Sequence, residues 1–345
     1  MKYLLLPFSY LYKLVTDFRN LLFKKNILKS FQFETKVIGV GNLSVGGTGK
    51  TPHVEYLVKL LGEKFSIGIL SRGYGRKTKG FILADDSCSA DTIGDEPYQY
   101  YLKFKPEVSV AVGEERITAI PAMLKENTDI DLVVLDDAFQ HRYVKPHVNI
   151  LLSEYGRPFF KDFIMPAGRL RESKKGAKRA DVIVITKCPT SLSEKDKNYY
   201  IKKIKKYSKP NVPVFFTSYK YGTPIAFSGQ QQVPSKNILL LTGIAGTDYL
   251  CTFLKHKYHI VKHLKYSDHH RYNKYDIAKI VKEYHRYSEA SELVVFTTEK
   301  DMVRLIHLKD LLDNIPVFYL PIEVQFTDEG ARQEFAERIF EFTYK

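Results

Sequence analysis

Cysteine is scarce in this 345-residue chain: Cys88, Cys188 and Cys251 lie far apart and form no Cys-x-x-Cys pair. That excludes a disulfide framework and a zinc site of that style, and makes a reducing, cytoplasmic setting the default. Long hydrophobic runs are missing too. The longest charge-free stretch near the N-terminus, Tyr3 to Tyr12, is about half of the ~20 apolar residues a membrane-spanning helix requires. It also fits a signal peptide poorly, since it holds Pro7 and several aromatics, lacks a small-residue cleavage site and runs straight into Lys13 and Arg19. Acids are outnumbered: 53 Lys and Arg against 39 Asp and Glu leave a formal charge of +14 on a chain that is 44% hydrophobic. Such a composition is globular with a basic surface, and at ~150 residues per domain the length suggests about two domains.

A helix beginning near Pro7 places Leu11, Leu14, Val15, Phe18, Leu21 and Leu22 on one face, with Lys13, Thr16, Asp17, Asn20 and Lys24 elsewhere. Residues 1–30 carry six basic side chains against the single acid Asp17, the sign that suits anionic lipid headgroups. Amphipathicity alone serves a helix packed on the protein's own core equally well. Leu4, Leu5, Leu6 and Phe8 tilt the reading towards a membrane surface.

Short β-branched runs recur between helical patterns: Val37 to Val40, Ile67 to Leu70, Val108 to Val112, Leu132 to Leu135, Val148 to Leu152, Val182 to Ile185 and Val214 to Phe216. This alternation predicts a parallel sheet with helices on both faces. A second alternation has strands at Ile238 to Leu241, Leu293 to Phe296 and Val317 to Leu320, and a helix over Tyr272 to Tyr287. A turn- and Gln-rich stretch from Thr223 to Lys236, holding Pro224, Gly229 and Pro234, separates the two. The expected organisation is an amphipathic helix (1–30), an α/β core domain (31–225) and a smaller α/β domain (226–345) whose last helix is free to pack back on the core.

The most informative segment runs from Val37 through Gly41, Ser44, Val45, Gly46, Gly47, Thr48, Gly49, Lys50 and Thr51 into a helix with Val54, Leu57, Val58 and Leu61. Strand, glycine-rich loop and helix in that order let backbone N–H groups curl around a polyphosphate. Lys50 then reaches the β- and γ-phosphates and the Thr51 hydroxyl ligates Mg²⁺. This is a P-loop except that Ser44 stands where the motif has its first glycine. Downstream, the buried strand Leu132 to Leu135 ends in Asp136-Asp137, the place where a P-loop protein holds its metal acid. Which of the two lies closer to Mg²⁺ is open at this level.

Further segments follow in order: Ser71-Arg72-Gly73-Tyr74-Gly75-Arg76, Gly94-Asp95-Glu96-Pro97, Asp136-Asp137-Ala138-Phe139-Gln140-His141, Pro166-Ala167-Gly168-Arg169-Leu170-Arg171-Glu172, Thr242-Gly243-Ile244-Ala245, Asp268-His269-His270 and Thr298-Glu299-Lys300-Asp301. With the glycine-rich loop they resemble the tetraacyldisaccharide 4'-kinases, the lipid A 4'-kinase family, from the N-terminal helix to about Leu320. The departures are small: Gly246-Thr247 follows Ala245 where the family often has a proline. The resemblance implies a P-loop kinase fold, ATP and Mg²⁺, and transfer of the γ-phosphate to the 4'-hydroxyl of a tetraacylated disaccharide 1-phosphate. It also implies peripheral attachment to the cytoplasmic face of the inner membrane through the first helix. No nucleic acid and no obligate protein partner are expected.

Asp95 and His269 are the catalytic pair that the resemblance implies, with Lys50. A sugar hydroxyl must lose its proton as the phosphorus–oxygen bond forms, and a carboxylate–imidazole pair accepts one near neutral pH. Either His269 takes it with Asp95 orienting the ring, or Asp95 takes it with His269 tuning the carboxylate. Because the two fall in different domains, closure would complete the pair and exclude water. By pattern alone Asp95 equally caps a helix at Glu96-Pro97, and Asp268-His269-His270 equally makes a surface turn. Gln140 and Glu172 are candidates for the Mg²⁺ shell or for positioning the acceptor. Arg72, Arg116, Arg169 and Arg171 are candidates for phosphate oxygens or the lipid's 1-phosphate, and Tyr74 for stacking on adenine or sugar. His256, His259 and His263 match no standard metal spacing and are read as structural or surface.

Two rivals are weaker. Val182 to Ile185 leading into Thr186-Lys187-Cys188-Pro189 suggests a guanine-reading loop but lacks the aspartate that reads the guanine edge. Clusters such as Lys202-Lys203-Lys205-Lys206 and Lys174-Lys175-Lys178-Arg179 suit a nucleic-acid backbone, yet no nucleic-acid-binding module accompanies them.

Overall fold

The computed structural model describes residues 2–228, 235–289 and 292–344. Gly229 and Pro234 of the expected linker lie outside the described residues. The chain forms two compact units, one of residues 1–219 with 324–345 and one of residues 220–323.

In the first unit, α1 (Leu6–Lys24) precedes β1 (Lys36–Asn42), α2 (Lys50–Leu61), β2 (Ile67–Ser71), β3 (Ile82–Leu83), α3 (Ala90–Ile93), α4 (Asp95–Phe104), β4 (Ser109–Val112) and α5 (Arg116–Glu126). β5 (Leu132–Asp136), β6 (Val148–Glu154), β7 (Val182–Thr186), α6 (Glu194–Lys205) and β8 (Val214–Tyr221) follow. The second unit contains β9 (Ile225–Ser228), β10 (Asn237–Thr242), α7 (Asp248–Lys255), β11 (His259–Lys265), α8 (Lys274–Ser288), β12 (Val294–Thr298), α9 (Glu299–Leu305) and β13 (Val317–Leu320). The chain returns through β14 (Ile322–Phe326) and ends in α10 (Glu329–Tyr344).

Among the described residues the first sheet runs β14-β8-β7-β6-β1-β5-β2-β4-β3. Its central pairs are parallel, with Ile38 beside Val134 of β5 and Val148 of β6. Both faces are covered, so β5 is buried along its whole length, as a parallel strand between helical layers must be. Ile38, Val40, Val134 and Ile150 pack into one apolar layer with Val54 and Leu57 of α2. Val37, Val133 and Leu135 point to the other layer, with Ile120 and Met123 of α5. The helix α10 belongs to the first layer: Phe335 and Ile339 are buried there, and Phe335 meets Phe215 at 5.2 Å and Phe326 at 5.0 Å between ring centroids.

The second sheet runs β11-β10-β12-β13-β9, parallel except for β9. Its two faces bury Leu239, Leu241 and Val295 against Ile277 and Ile280 of α8, and Leu240, Val294 and Phe296 against Leu250 and Leu254 of α7. β11 was not anticipated, because an edge strand carrying His259, Lys262, His263 and Lys265 has no apolar run to betray it.

α1 begins with Pro7 in its first turn, where a missing N–H costs nothing. It docks on the first unit through its polar side. Ser9 Oγ accepts from Ala167 N at 2.9 Å, Tyr12 Oη donates to Arg171 O at 3.1 Å, and Asn20 O accepts from Arg142 at 2.9 Å. Phe23 is buried edge-on against Tyr143. Leu11, Leu14, Val15, Phe18 and Leu21 face outward instead, Phe18 at 62% exposure. No helix among the described residues is long and apolar enough to cross a membrane.

Candidate active site

At the C-terminal ends of β1, β2 and β5, where open parallel sheets hold their ligands, the glycine-rich loop joins β1 to α2. Gly46 and Gly49 sit at φ 108° and 86°, which only glycine adopts without strain. Gly49 is also spatially obligatory, since a Cβ there would fall 1.8 Å from Tyr219 Oη. Ser44, at the motif's missing glycine, is not left-handed. It forms an antiparallel bridge with Leu170, flanked by Val45 N to Arg169 O and Arg171 N to Leu43 O, each 2.8 Å. Extended backbone of this kind suits any residue, so the motif works here without its first glycine. The Arg169–Arg171 stretch is thereby clasped to the loop.

The hydroxyl of Thr48 accepts from Asn42 Nδ2 at 2.7 Å, and its carbonyl accepts from Thr186 Oγ1 at 2.8 Å. Lys187, from the segment once comparable to a guanine-reading loop, donates to Gly47 O and so braces the loop from outside. His53, one turn into α2, escaped the sequence reading. Its Nδ1–H donates to Gly49 O at 2.7 Å, leaving Nε2 to accept from Thr217 Oγ1 at 3.1 Å. Burial pulls its pKa down to about 4, so the ring is neutral. A lone histidine beside a glycine loop carries no pattern that announces this.

Lys50 opens α2 with Nζ 3.6 Å from Asp137 Oδ1, and Thr51 follows in the same turn. Arg171 Nη1 reaches both carboxylate oxygens of Asp137, at 3.1 and 3.0 Å, and Gln140 Oε1 at 3.3 Å. Burial acts to raise the Asp137 pKa, but Lys50 and Arg171 outweigh it and hold the group below the ordinary value. Asp136 behaves oppositely: burial lifts it to about 6, against the pull of Lys50. Ser71 Oγ stands 3.5 Å from its Oδ2, while Oδ1 is buried with no hydrogen-bond partner. An orphaned carboxylate oxygen beside a lysine and a helix N-terminus is a place that a hard divalent cation fits. Among the described residues no three His, Cys, Asp or Glu side chains converge into a cage, so such an ion would take its remaining ligands from hydroxyl, water and phosphate oxygens, as Mg²⁺ commonly does.

Glu172 is placed differently from a metal ligand. Both its oxygens are engaged, by Arg179 at 2.7 and 2.9 Å, Asn20 at 3.0 Å and Gln140 at 3.2 Å. It is a buried bracket between α1, the Gln140 loop and the turn carrying Arg179. Gln140 is part of the same bracket, its Nε2 also donating to Asn42 O at 2.8 Å. Arg116 is likewise displaced from its expected role. It is 2% exposed, with its guanidinium on Gly113 O at 2.7 Å and Asp136 O at 3.2 Å. Burial draws its pKa down to about 10. It fastens the end of β5 from beneath rather than facing a phosphorylated ligand.

Arg72 and Arg169 are exposed, the latter with Nη1 3.8 Å from where a Cβ on Gly46 would stand. Tyr74 is 71% exposed on a loop held by Gly73 and Gly75, both left-handed. Asp95 begins α4 directly after Gly94, which is at φ 95° with no room for a side chain against Tyr74 O. All of these lie in the first unit. His269 lies in the second, at φ 58° on the turn after β11. Its side chain is 38% exposed, Nε2 is 3.8 Å from Asp268 Oδ2, and Nδ1 faces Arg304 Nη2 at 3.3 Å.

The model of the tetraacyldisaccharide-1-P 4'-kinase family matches residues 1–340. The chain is 41% identical to the tetraacyldisaccharide 4'-kinase of Bacteroides thetaiotaomicron over 338 residues, 93% of this chain and 88% of that protein. Against the enzyme of the same description from Flavobacterium johnsoniae it is 41% identical over 343 residues, 98% of this chain and 96% of that one. Among solved structures it is similar to the "apo" form of LpxK from Aquifex aeolicus in complex with ATP, at TM-score 0.75, 28% identity and 99% of both chains covered.

Proposed function

This chain belongs to the tetraacyldisaccharide-1-P 4'-kinase family, and from that premise we propose how its residues carry the phosphate of ATP to the 4'-hydroxyl of a tetraacyldisaccharide 1-phosphate, the lipid A precursor, giving lipid IVA. The observation that carries the reading is the meeting of a glycine-rich loop, Lys50 and the Asp136–Asp137 pair at one strand-end crevice. Backbone amides of Gly46, Gly47, Gly49 and Lys50 receive the β- and γ-phosphates, with Ser44, Val45 and Thr48 shaping the loop. Lys50 exchanges Asp137 for phosphate oxygens and neutralises the charge that grows on them during transfer. Thr51 and Asp136, with Asp137 beside them, would hold Mg²⁺, which would supply Lewis-acid neutralisation of phosphate charge.

Asp95 and His269 handle the acceptor proton as a pair. Arg72, Arg169 and Tyr74 hold the phosphorylated disaccharide, while Arg171, Gln140 and Glu172 keep the Asp137 side of the crevice in place. The outward apolar face of α1, flanked by Lys13, Arg19, Lys24 and Lys25, lies on an anionic leaflet. In this reading the enzyme works peripherally on the cytoplasmic side of the inner membrane, where an acylated substrate is reached without leaving the bilayer.

The test is phosphorylation of lipid A disaccharide 1-phosphate in detergent micelles with ATP. Wild type is expected to phosphorylate the 4' position, and Asp95→Ala and His269→Ala to be slower by about 10²-fold or more. Turnover of ATP with the lipid left unmodified would overturn the acceptor assignment, and full activity in either variant would overturn the pair.

A further inference from the structure

A buried hydroxyl stands behind the phosphate crevice, outside every motif read from the sequence. Tyr100, on α4, is 0% exposed and packs in the apolar layer with Val54, Val110 and Val134. Its Oη is nevertheless buried without a hydrogen-bond partner among the described residues. An unpaired hydroxyl in such a layer carries a desolvation penalty that the same ring without its oxygen avoids. The polar groups acting on that oxygen include Asp136, at the end of β5, and Thr51, whose hydroxyl faces it without closing a hydrogen bond of good geometry. Both are residues of the crevice. Asp136 Oδ1 is itself buried and unpartnered, so two orphaned oxygens border the place assigned above to a divalent cation.

α4 is pinned to α2 at this level. Gln99 Nε2 donates to Glu55 Oε1 at 2.8 Å, and Lys103 Nζ donates to Glu55 Oε2 at 2.7 Å. Glu55 is 3% exposed and lies four residues beyond Thr51 on α2, and residues four apart share a helix face. Tyr100 follows Gln99 and stands one turn before Lys103. The grip on Glu55 therefore sets the part of α4 that carries Tyr100 beside the first turns of α2.

A threonine hydroxyl has one hydrogen and two lone pairs, and its oxygen has three staggered positions about χ1. As a ligand it must turn one lone pair to the ion, which leaves the second for a donor. We propose that Tyr100 is a positioning residue of the cation site, its Oη donating to Thr51 Oγ1 so that the threonine oxygen is held with a lone pair free for Mg²⁺. The proposal rests on the kinase reading above, which puts the ion at Thr51 and Asp136, and adds to it the partner that steadies one ligand from behind. Such outer partners set the orientation of a ligand and hence the affinity of a site. The unpaired Oη is the cost of keeping that donor in an apolar layer.

The test is Mn²⁺ binding, followed by the loss of the free-ion EPR signal, to full-length protein holding a non-hydrolysable ATP analogue. Tyr100→Phe is expected to weaken Mn²⁺ roughly ten- to hundredfold, the scale seen when the partner of a metal ligand is lost, with the analogue bound as in wild type when EDTA is present. Its metal-free thermal midpoint is expected to equal or exceed that of wild type, because the substitution removes an unpaired hydroxyl and keeps the ring. A tyrosine that is merely structural gives the opposite pair of results, a lower midpoint and unchanged Mn²⁺ affinity. In turnover, excess Mg²⁺ is expected to restore most of the rate of Tyr100→Phe. In a Thr51→Ala background the same substitution is expected to cost no further Mn²⁺ affinity. Unchanged affinity in Tyr100→Phe beside a loss in Asp136→Asn overturns the proposal alone. Unchanged affinity in Thr51→Ala and Asp136→Asn overturns the cation assignment of the kinase reading and the proposal with it. A wild type that leaves the lipid unmodified but loses Mn²⁺ affinity on Tyr100→Phe counts against the acceptor assignment and supports the role of Tyr100.

Discussion

The side-chain amide of Asn20 donates to Glu172 Oε2 at 3.0 Å, which ties the helix with the outward apolar face to the wall of the phosphate crevice. Gln140 shares that carboxylate and also holds Asn42 O at the root of the glycine-rich loop. Replacing Glu172 with Ala leaves Arg179 facing an unfilled, mostly buried space. A loss of about 2–4 kcal/mol is expected, readable as a shift in the urea midpoint with an unchanged slope. Removal of Asn20 alone by Asn20→Ala is expected to cost only about 1 kcal/mol.

Lys50 is expected to matter for chemistry and little for folding. Its distance from Asp137 is 3.6 Å and the carboxylate retains Arg171 without it. Lys50→Met should slow phosphoryl transfer by about 10²–10³-fold, the usual cost of removing one charge stabiliser from a transition state. Its thermal midpoint should stay within a few degrees of wild type, as scanning calorimetry will report.

His53 gives the protein an acid-sensitive joint. Its folded pKa is about 4 against 6.5 for a free imidazole, so between those values the unfolded chain binds the proton and the native state does not. Stability therefore rises with pH across that window and is lost as pH falls from about 6.5 to 4, by about 3 kcal/mol in all. His53→Gln removes the titration. Its unfolding free energy, followed by denaturant titration at successive pH values, should be flatter than that of wild type over this interval.

The outward face of α1 offers Phe18 and Leu14 to whatever lies against it. Phe18→Ser with Leu14→Ser should leave the thermal midpoint nearly unchanged, because both side chains are already exposed. In sedimentation with vesicles containing anionic lipid, binding should fall by more than about tenfold, given roughly 1.5–3 kcal/mol for each large apolar side chain withdrawn from water. Equal binding by the variant and wild type would place the membrane contact elsewhere.

Short-range chemistry was readable from the chain alone. The glycine loop, Lys50 and Thr51 are contiguous, and β1, β5 and β7 are built on short runs of Val, Ile and Leu because both of their faces are covered. The amphipathic helix was readable as a helix, but which face it turned outward depended on Ser9, Tyr12 and Asn20 finding partners more than a hundred residues away. Arg116 and Glu172 misled for a related reason. A charged residue in a motif looks the same whether it meets a ligand or an interior carbonyl, and only burial with its partners distinguishes the two. His53 acts through contacts to Gly49 and Thr217, and no local periodicity encodes such pairings.

The route by which the polypeptide leaves the first unit on β8 and returns on β14 has a consequence for its synthesis. Phe215 lies on the strand that is made before the second unit, whereas Phe326 and Phe335, which cover it, come after. Roughly a hundred residues must be translated in between, and at ~5–20 residues per second the ribosome needs about 5–20 s for them. For that interval the nascent sheet carries an uncovered aromatic edge, so the enzyme's dependence on chaperones should peak before its last helix emerges.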